Sequence, residues 1–242
     1  MSKVVVLVQC RLDSQRLPKK AFEQLGLRTM LEQIVRRCKT AQTIDDVLVA
    51  CPLKDELTIF QWTGILPYPG PEQDVLTRLL DAARSVHATH FIRVTGDNPF
   101  VCPKLIDQMV GHQALCKKPV IVNWKKRTLP DGLDLECYEM DWLERLGEKL
   151  VDQTDREYFA QYIIERFDKK IVESLANRTD LSRRYRLTVD YPEDLAFARA
   201  VYNWMEEEIW DSEKLILFLD KHPEIMSLNR KWIDGNFGAR PK

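Results

Sequence analysis

The 242-residue chain has no apolar run long enough to cross a membrane. Its first hydrophobic stretch, residues 4–8, is too short for a signal-peptide core, and the basic Arg11 soon follows it. A strong charge of either sign is missing as well. A net charge of −1 gives no general attraction to nucleic acid, so any phosphate must be bound by a local cluster of basic groups. The six cysteines, Cys10, Cys38, Cys51, Cys102, Cys116 and Cys137, are scattered and form no C-x-x-C pair. They read as reduced core thiols, not as a disulfide framework or a zinc site. The four histidines, His87, His90, His112 and His222, show no metal-ligand spacing and are given no role. There is no Walker A pattern, no G-x-G-x-x-G, no internal repeat and no low-complexity linker. What remains is a cytoplasmic protein with neither nucleic-acid nor membrane partners. Hydrophobic residues at 45% and charged residues at 30% argue against disorder.

What is present is strand and helix in alternation. Val4 to Gln9 is a continuous, largely β-branched run that suits a strand buried on both faces. Thr29 and Glu32 form a capping-box pattern, behind which Leu31, Ile34, Val35 and Cys38 recur at helical spacing. Residues 46–50 read as a second strand. Asp74 caps a helix with Val75, Leu76, Leu79, Leu80 and Ala83 on one stripe. Residues 91–95 form a third strand ending at Gly96-Asp97, and Pro103 opens another helix. Val120 to Val122 continues the sheet. Leu133, Leu135 and Cys137 alternate with Asp134, Glu136 and Tyr138, which predicts a strand with one wet face. Residues 185–189 read as a late strand, followed by a helix from Pro192 to about residue 207. The expected fold class is α/β: one doubly wound domain over 1–242 with a mostly parallel sheet. Ligands in such sheets sit beyond the carboxyl ends of strands. That rule selects residues 10–20, residues 96–100 and Asp190.

The first of these places carries Arg11, Arg16, Lys19 and Lys20, four cations within ten residues, with Ser14 and backbone amides as further donors. A triphosphate needs such a cluster before a nucleophile can approach it. The plainer alternative is a solvated basic loop. R-x-x-S-x-R-L-P-x-K directly after the first strand resembles the signature of sugar-acid cytidylyltransferases, the enzymes that activate ketodeoxyoctulosonate and acylneuraminates. It is most similar to their relatives of the spore coat polysaccharide biosynthesis protein F type. The matching residues are Arg11, Ser14, Arg16, Leu17, Pro18 and Lys20. Further blocks follow in the same order: PGPEQDVLTR at 69–78, RVTGDNPFV at 93–101, PDGLDLE at 130–136, TDRE at 154–157, LTVDYPEDL at 187–195, and FLDKHPEI with Asn229. Three departures stand out. Asp13 replaces a small residue, Lys19 replaces the usual glycine before the lysine, and the stretch from residue 54 to 70 is short. Asp tolerates a left-handed backbone, and its extra charge is acceptable if Arg11 or Arg16 neutralises it.

The resemblance implies a nucleotide-diphospho-sugar transferase-like fold, CTP as the nucleotide, and magnesium (Mg2+) held by Asp97 and Asp190. Magnesium takes few protein carboxylates and completes its shell with water and phosphate oxygens. The residues alone leave a turn open for Asp97-Asn98-Pro99 and an N-cap open for Asp190. Glu193 and Asp194 belong to the first turn of the following helix. Asp74 and Arg78 lie in the block expected near base and ribose, or form only a helical ion pair. Asp131, Asp134 and Glu136 can accept hydrogen bonds from acceptor hydroxyls, or flank a hairpin turn at Asp131-Gly132. Arg127, Arg156 and Arg186 can hold an anionic acceptor, or be surface charges. Family members are commonly dimers with a projecting segment. Here 127–165 is the expected acceptor and dimerisation insertion, on account of Trp124, Leu129, Tyr138, Trp142 and Tyr158. The stretch from Trp232 to Lys242 is expected to be a flexible or docking end.

The expected reaction is direct displacement. An acceptor oxygen attacks the α-phosphorus of CTP and pyrophosphate leaves, with Arg11, Arg16 and Lys20 as the catalytic cations and Ser14 and Asp97 also at the nucleotide. The acceptor is a small anionic molecule: a sugar acid, or a phosphorylated polyol or amide. The rivals are a metal-dependent glycosyltransferase of related fold and a catalytically inactive regulatory homologue.

Overall fold

The computed structural model describes residues 2–233. The expectation for the tail beyond Ile233 therefore falls outside the described residues. Strand β1 (Val4–Gln9) is buried along nearly its whole length, as its β-branched run requires. It pairs in parallel with β2 (Asp46–Pro52) on one side and β4 (His90–Thr95) on the other. The short β3 (Tyr68–Gly70) closes the β2 edge. Beyond β4 the sheet continues with β6 (Glu136–Glu139), β5 (Val120–Val122) and β7 (Val172–Ser174), giving a seven-stranded order β3-β2-β1-β4-β6-β5-β7. Only β6 runs against its neighbours. The mostly parallel α/β reading holds.

Helices cover both faces. Helix α1 (Met30–Cys38) starts at the foreseen capping box, with the Thr29 hydroxyl accepting from the Glu32 amide and the Glu32 carboxylate accepting from the Thr29 amide. Its apolar stripe joins Val6, Val8, Ile92 and Val94 in one core layer, completed by α4 (Pro103–Cys116) and α8 (Pro192–Met205). Helix α3 (Val75–Ser85) packs Leu76, Leu79 and Ala83 with Val5, Leu7 and Phe91 on the opposite face. Helices α5 (Met140–Gly147) and α7 (Phe159–Arg166) complete that second layer. The short α2 (Glu56–Thr63) and α6 (Gln153–Glu157) and the carboxyl-terminal α9 (Ser212–Lys221) and α10 (Pro223–Ser227) lie outside it.

Two expectations are corrected. Residues 185–189 form no ladder; the segment is extended and buried, with one isolated bridge from Arg186 to Asp131. It is held by single bonds, Leu187 N–H to the Asp131 carbonyl (2.7 Å) and Val189 N–H to the Asp97 carbonyl (2.8 Å). The turn at Gly132 presses on it so closely that a Cβ there would lie 2.3 Å from the Leu187 carbonyl carbon, and Gly132 itself has φ +101°. The wet face expected for residues 133–138 is largely covered too, with only Asp134 partly exposed. As an inner strand, β6 buries Glu136 and Tyr138 as well as Cys137. The polar alternation was satisfied by partners inside the protein, not by water.

Candidate active site

The carboxyl ends of β1 and β4 lie side by side, with Gln9 in register with Thr95. Here the chain order reverses direction across the sheet, the position at which open α/β sheets form crevices. A cavity of about 610 Å³ opens there, with the 11–20 loop on one wall and the 95–97 turn at its base. The loop is pinned by the buried Asp55 carboxylate, which accepts from Leu12 N–H at 3.0 Å, and by Lys19 N–H to the Leu12 carbonyl at 3.2 Å. Lys19 adopts φ 56°, ψ 25°, the left-handed conformation that explains the glycine usual at its position. Asp13 needs no such conformation. Its charge is met by Arg11 at 3.5 Å and Lys54 at 3.8 Å, and Lys54 also pairs with Glu72. The Ser14 hydroxyl accepts weakly from Leu17 N–H at 3.4 Å.

At the base of the cavity, the Lys20 ammonium lies 3.3 Å from Asp97 Oδ2 and 3.0 Å from Asp190 Oδ1, and donates to the Val189 carbonyl at 2.7 Å. Burial would lower the lysine's affinity for its proton, but Asp97 and Asp190 outweigh it and raise the pKa above its ordinary value. Burial would likewise raise Asp97, yet Lys20 and the Thr95 hydroxyl hold it below the usual carboxylate value. The Val189–Asp97 backbone bond brings Asp190 here from a distant part of the chain. Arg16, largely exposed, reaches Asp190 at 3.0 Å and donates to the Tyr191 hydroxyl at 3.3 Å. Asp190 is not the cap of α8. Tyr191 holds that position, and the Asp194 carboxylate accepts from the amides of both 190 and 191. Asp194 and Glu193 occupy the first turn, as expected.

The residues expected at the acceptor do not line this cavity. Arg127 grips Asp134 bidentately (3.0 and 2.8 Å). Arg186, buried, joins Asp131, Asp190 and Asp194. Asp131 is raised by burial and by the nearby Asp97 and Asp190, against the pull of Arg127 and Arg186. Glu136 accepts from Arg93, Trp124 Nε1 and the Tyr138 hydroxyl. Arg156 binds the Asp74 carboxylate, the Thr77 hydroxyl and the carbonyls of Gly147 and Leu150. Each is drawn inward because a buried charge is tolerable only when paired. Asp74 also lies outside the lining: it caps α3 through Thr77 N–H, as expected, and pairs with Arg156, not with Arg78. Arg78 does line the cavity, fully buried, with Nη1 on the carbonyls of Pro71 and Glu72 and no partner on Nε. Sequence reasoning did not assign Gln9, Arg93, Glu157 and Tyr158 to the site, yet all four line the cavity, and Glu157 lies 3.7 Å from Arg11 of the basic loop. For Gln9 and Arg93 a signal existed, since both stand near the carboxyl ends of predicted strands. Glu157 closes the TDRE block and Tyr158 was assigned to the 127–165 insertion, so both were marked but neither was placed at this cavity.

The apolar groups named for the 127–165 segment make contacts within the chain. Leu129 and Tyr138 are buried, Trp142 packs edge-on against Phe167, and Tyr158 faces the cavity. The carboxyl-terminal segment grips the Asp190 turn. The ring of Trp232 stacks on Tyr191 (centroids 3.7 Å apart), Asn229 donates to Asp194 and to the Arg186 carbonyl, and Lys231 and Trp232 hold the Glu193 carboxyl down to about 2.

A basic loop, two carboxylates facing one cation, and a strand-end crevice give an α/β fold with a charged cavity at its topological switch point. A family model for cytidylyltransferases matches residues 5–139. An uncharacterised protein of Methanocaldococcus jannaschii is 31% identical over 232 residues, covering 94% of each chain. The spore coat polysaccharide biosynthesis protein SpsF of Bacillus subtilis is 25% identical over 241 residues, covering 93% of this chain and 97% of its own. The structure of a cytidylyltransferase from Leptospira borgpetersenii is 27% identical, with a TM-score of 0.87, covering 99% of this chain and 100% of that one. The chain belongs to the cytidylyltransferase family, and the resemblance read from its motifs is borne out.

Proposed function

We propose that the protein transfers CMP from CTP to a small anionic acceptor, in the class of sugar acids, with release of pyrophosphate, in the cytoplasm and for surface polysaccharide synthesis. The observation that carries this reading is the convergence of Asp97 and Asp190 on a single cation, Lys20, at the base of a cavity rimmed by Arg11 and Arg16. Arg11, Arg16 and Lys20 would neutralise the triphosphate, and Ser14 would orient it. Val75 and Arg78, also in the lining, would take the nucleoside. The acceptor would enter along Gln9, Arg93, Glu157 and Tyr158, its oxygen displacing pyrophosphate at the α-phosphorus.

Magnesium fits the donor set. Asp97 Oδ2 and Asp190 Oδ1 already share one cation, and magnesium takes one or two carboxylates when phosphates and water supply the rest. Among the described residues no group of three or more His, Cys, Asp or Glu side chains could hold an ion alone, so the metal would arrive with the nucleotide. Bound there, it would offset charge on the α-phosphate and the leaving oxygen.

The test is pyrophosphate release with CTP, magnesium and a panel of sugar acids and phosphorylated polyols. Turnover with a sugar acid is expected; turnover only with UTP or ATP would sink the assignment. In parallel, CTP with magnesium should raise the melting temperature more than UTP, ATP or GTP does. At a concentration 100 times the dissociation constant the stabilisation is about 2.7 kcal/mol. Equal shifts for all four nucleotides would remove the cytidine reading.

A further inference from the structure

Asp97 and Asp190, both in the cavity lining, share a construction: each has one carboxylate oxygen on the Lys20 ammonium and the other held by a second neighbour. In Asp97 the Thr95 hydroxyl holds Oδ1 at 2.6 Å and leaves Oδ2 for Lys20. In Asp190 the Arg186 guanidinium holds Oδ2 at 3.0 Å and leaves Oδ1 for Lys20 and Arg16. Arg186 cannot act on a ligand itself. Its Nη1 donates to Asp131 Oδ2 at 2.8 Å, its Nε to Asp194 at 3.1 and 3.3 Å, and its Nη2 to Asp190 and Asp194. The side chain is 9% exposed and lies outside the cavity lining. Its own position is fixed in turn. Asp194 is held by Asn229 Nδ2 and by two backbone amides, and Asn229 also binds the Arg186 carbonyl.

We propose that Arg186 is a positioning residue for the metal: its rigid fork fixes the Asp190 carboxylate so that one oxygen faces the cavity as a single, correctly aimed ligand. This inference rests on the reading of Asp190 as a magnesium ligand. A planar guanidinium can span three carboxylates in fixed directions, whereas an ammonium is a point charge on a flexible stem. Arg186→Lys therefore keeps the charge, and with it most of the fold, and loses the aim.

The test uses the full chain with CTP and manganese as a spectroscopic stand-in for magnesium. For Arg186→Lys, manganese affinity of the protein–CTP complex, read by electron paramagnetic resonance, is expected to fall about tenfold. CTP affinity without metal should stay within twofold, and kcat at saturating metal should fall with the acceptor KM unchanged. A purely structural role would lower the melting temperature and leave the manganese constant alone. Wild-type manganese affinity in Arg186→Lys, with Asp190→Asn impaired, overturns the inference and leaves the metal reading standing. Wild-type affinity in Asp190→Asn overturns the metal reading and the inference with it. A raised acceptor KM as the only change in Arg186→Lys would return the arginine to the acceptor. If Arg186→Lys fails to fold, Asp131→Asn, which removes one anchor of the guanidinium, should weaken manganese about threefold, and no change there overturns the proposal.

Discussion

Lys20 decides the electrostatics of the cavity base. With Asp97 and Asp190 both on its ammonium, and with Arg16 and Arg186 also on Asp190, a metal ion can be accommodated only if phosphate brings further negative charge. Asp97→Asn and Asp190→Asn should therefore fold, keep their circular dichroism, and lose turnover by at least about 100-fold, with chelator silencing the parent. Activity that survives chelation would reject the metal reading. The thiols give a second check. Burial pushes Cys10, Cys38, Cys51 and Cys137 up to about 12, so they stay protonated and unreactive at pH 8. The native protein should react with a thiol reagent chiefly at Cys116, which is partly exposed, and the denatured protein at all six. A thiol pKa raised on folding favours the native state fully below the ordinary value of 9.0 and loses that contribution as pH climbs through about 12. The melting temperature should accordingly decline above pH 9. The basic loop and both aspartates could be read from the sequence because their motifs concentrate charge at strand ends. The six residues assigned to the acceptor could not, because a sequence displays the charge of Arg156 or Asp134 and hides the partner that neutralises it.

The elements around the site are held by clamps more than by ladders. Residues 185–189 looked like a strand because they are apolar in alternation, yet Gly132 and Asp131 take the place of a partner strand. β6 shows the converse error: its alternation was real, and its polar face was buried against Arg93 and Trp124. The Arg156 clamp ties the α5–α6 connection to the start of α3 through two carbonyls and Asp74. Arg156→Met strands those acceptors, so it should cost about 3 kcal/mol. Its effect should appear in denaturant midpoint and not in acceptor KM. A raised acceptor KM at unchanged stability would restore the arginine to substrate binding.

For the molecule as a whole, the mostly parallel sheet followed from hydrophobic period and the alternation of elements, whereas the strand order and the reversed β6 did not, since local pattern carries neither neighbour nor direction. For the homodimer proposed from family resemblance, Trp142 of the expected 127–165 arm is packed on Phe167, and the large exposed apolar side chains include Leu53, Leu57, Trp62 and Leu66 near α2. Trp142→Ala should lower the melting temperature by loss of packing and leave the mass by light scattering unchanged. A shift from dimer to monomer would support the arm. The reversed β6 also bears on how the protein is made. Because residues 136–139 fill the place beside β4, the amino-terminal half emerges from the ribosome with that strand's edge unpaired until the chain has grown some forty residues past it. A translation product stopped after α4 would carry a nearly complete nucleotide loop and an open, apolar strand edge, and its fate would be association with its own kind, not catalysis.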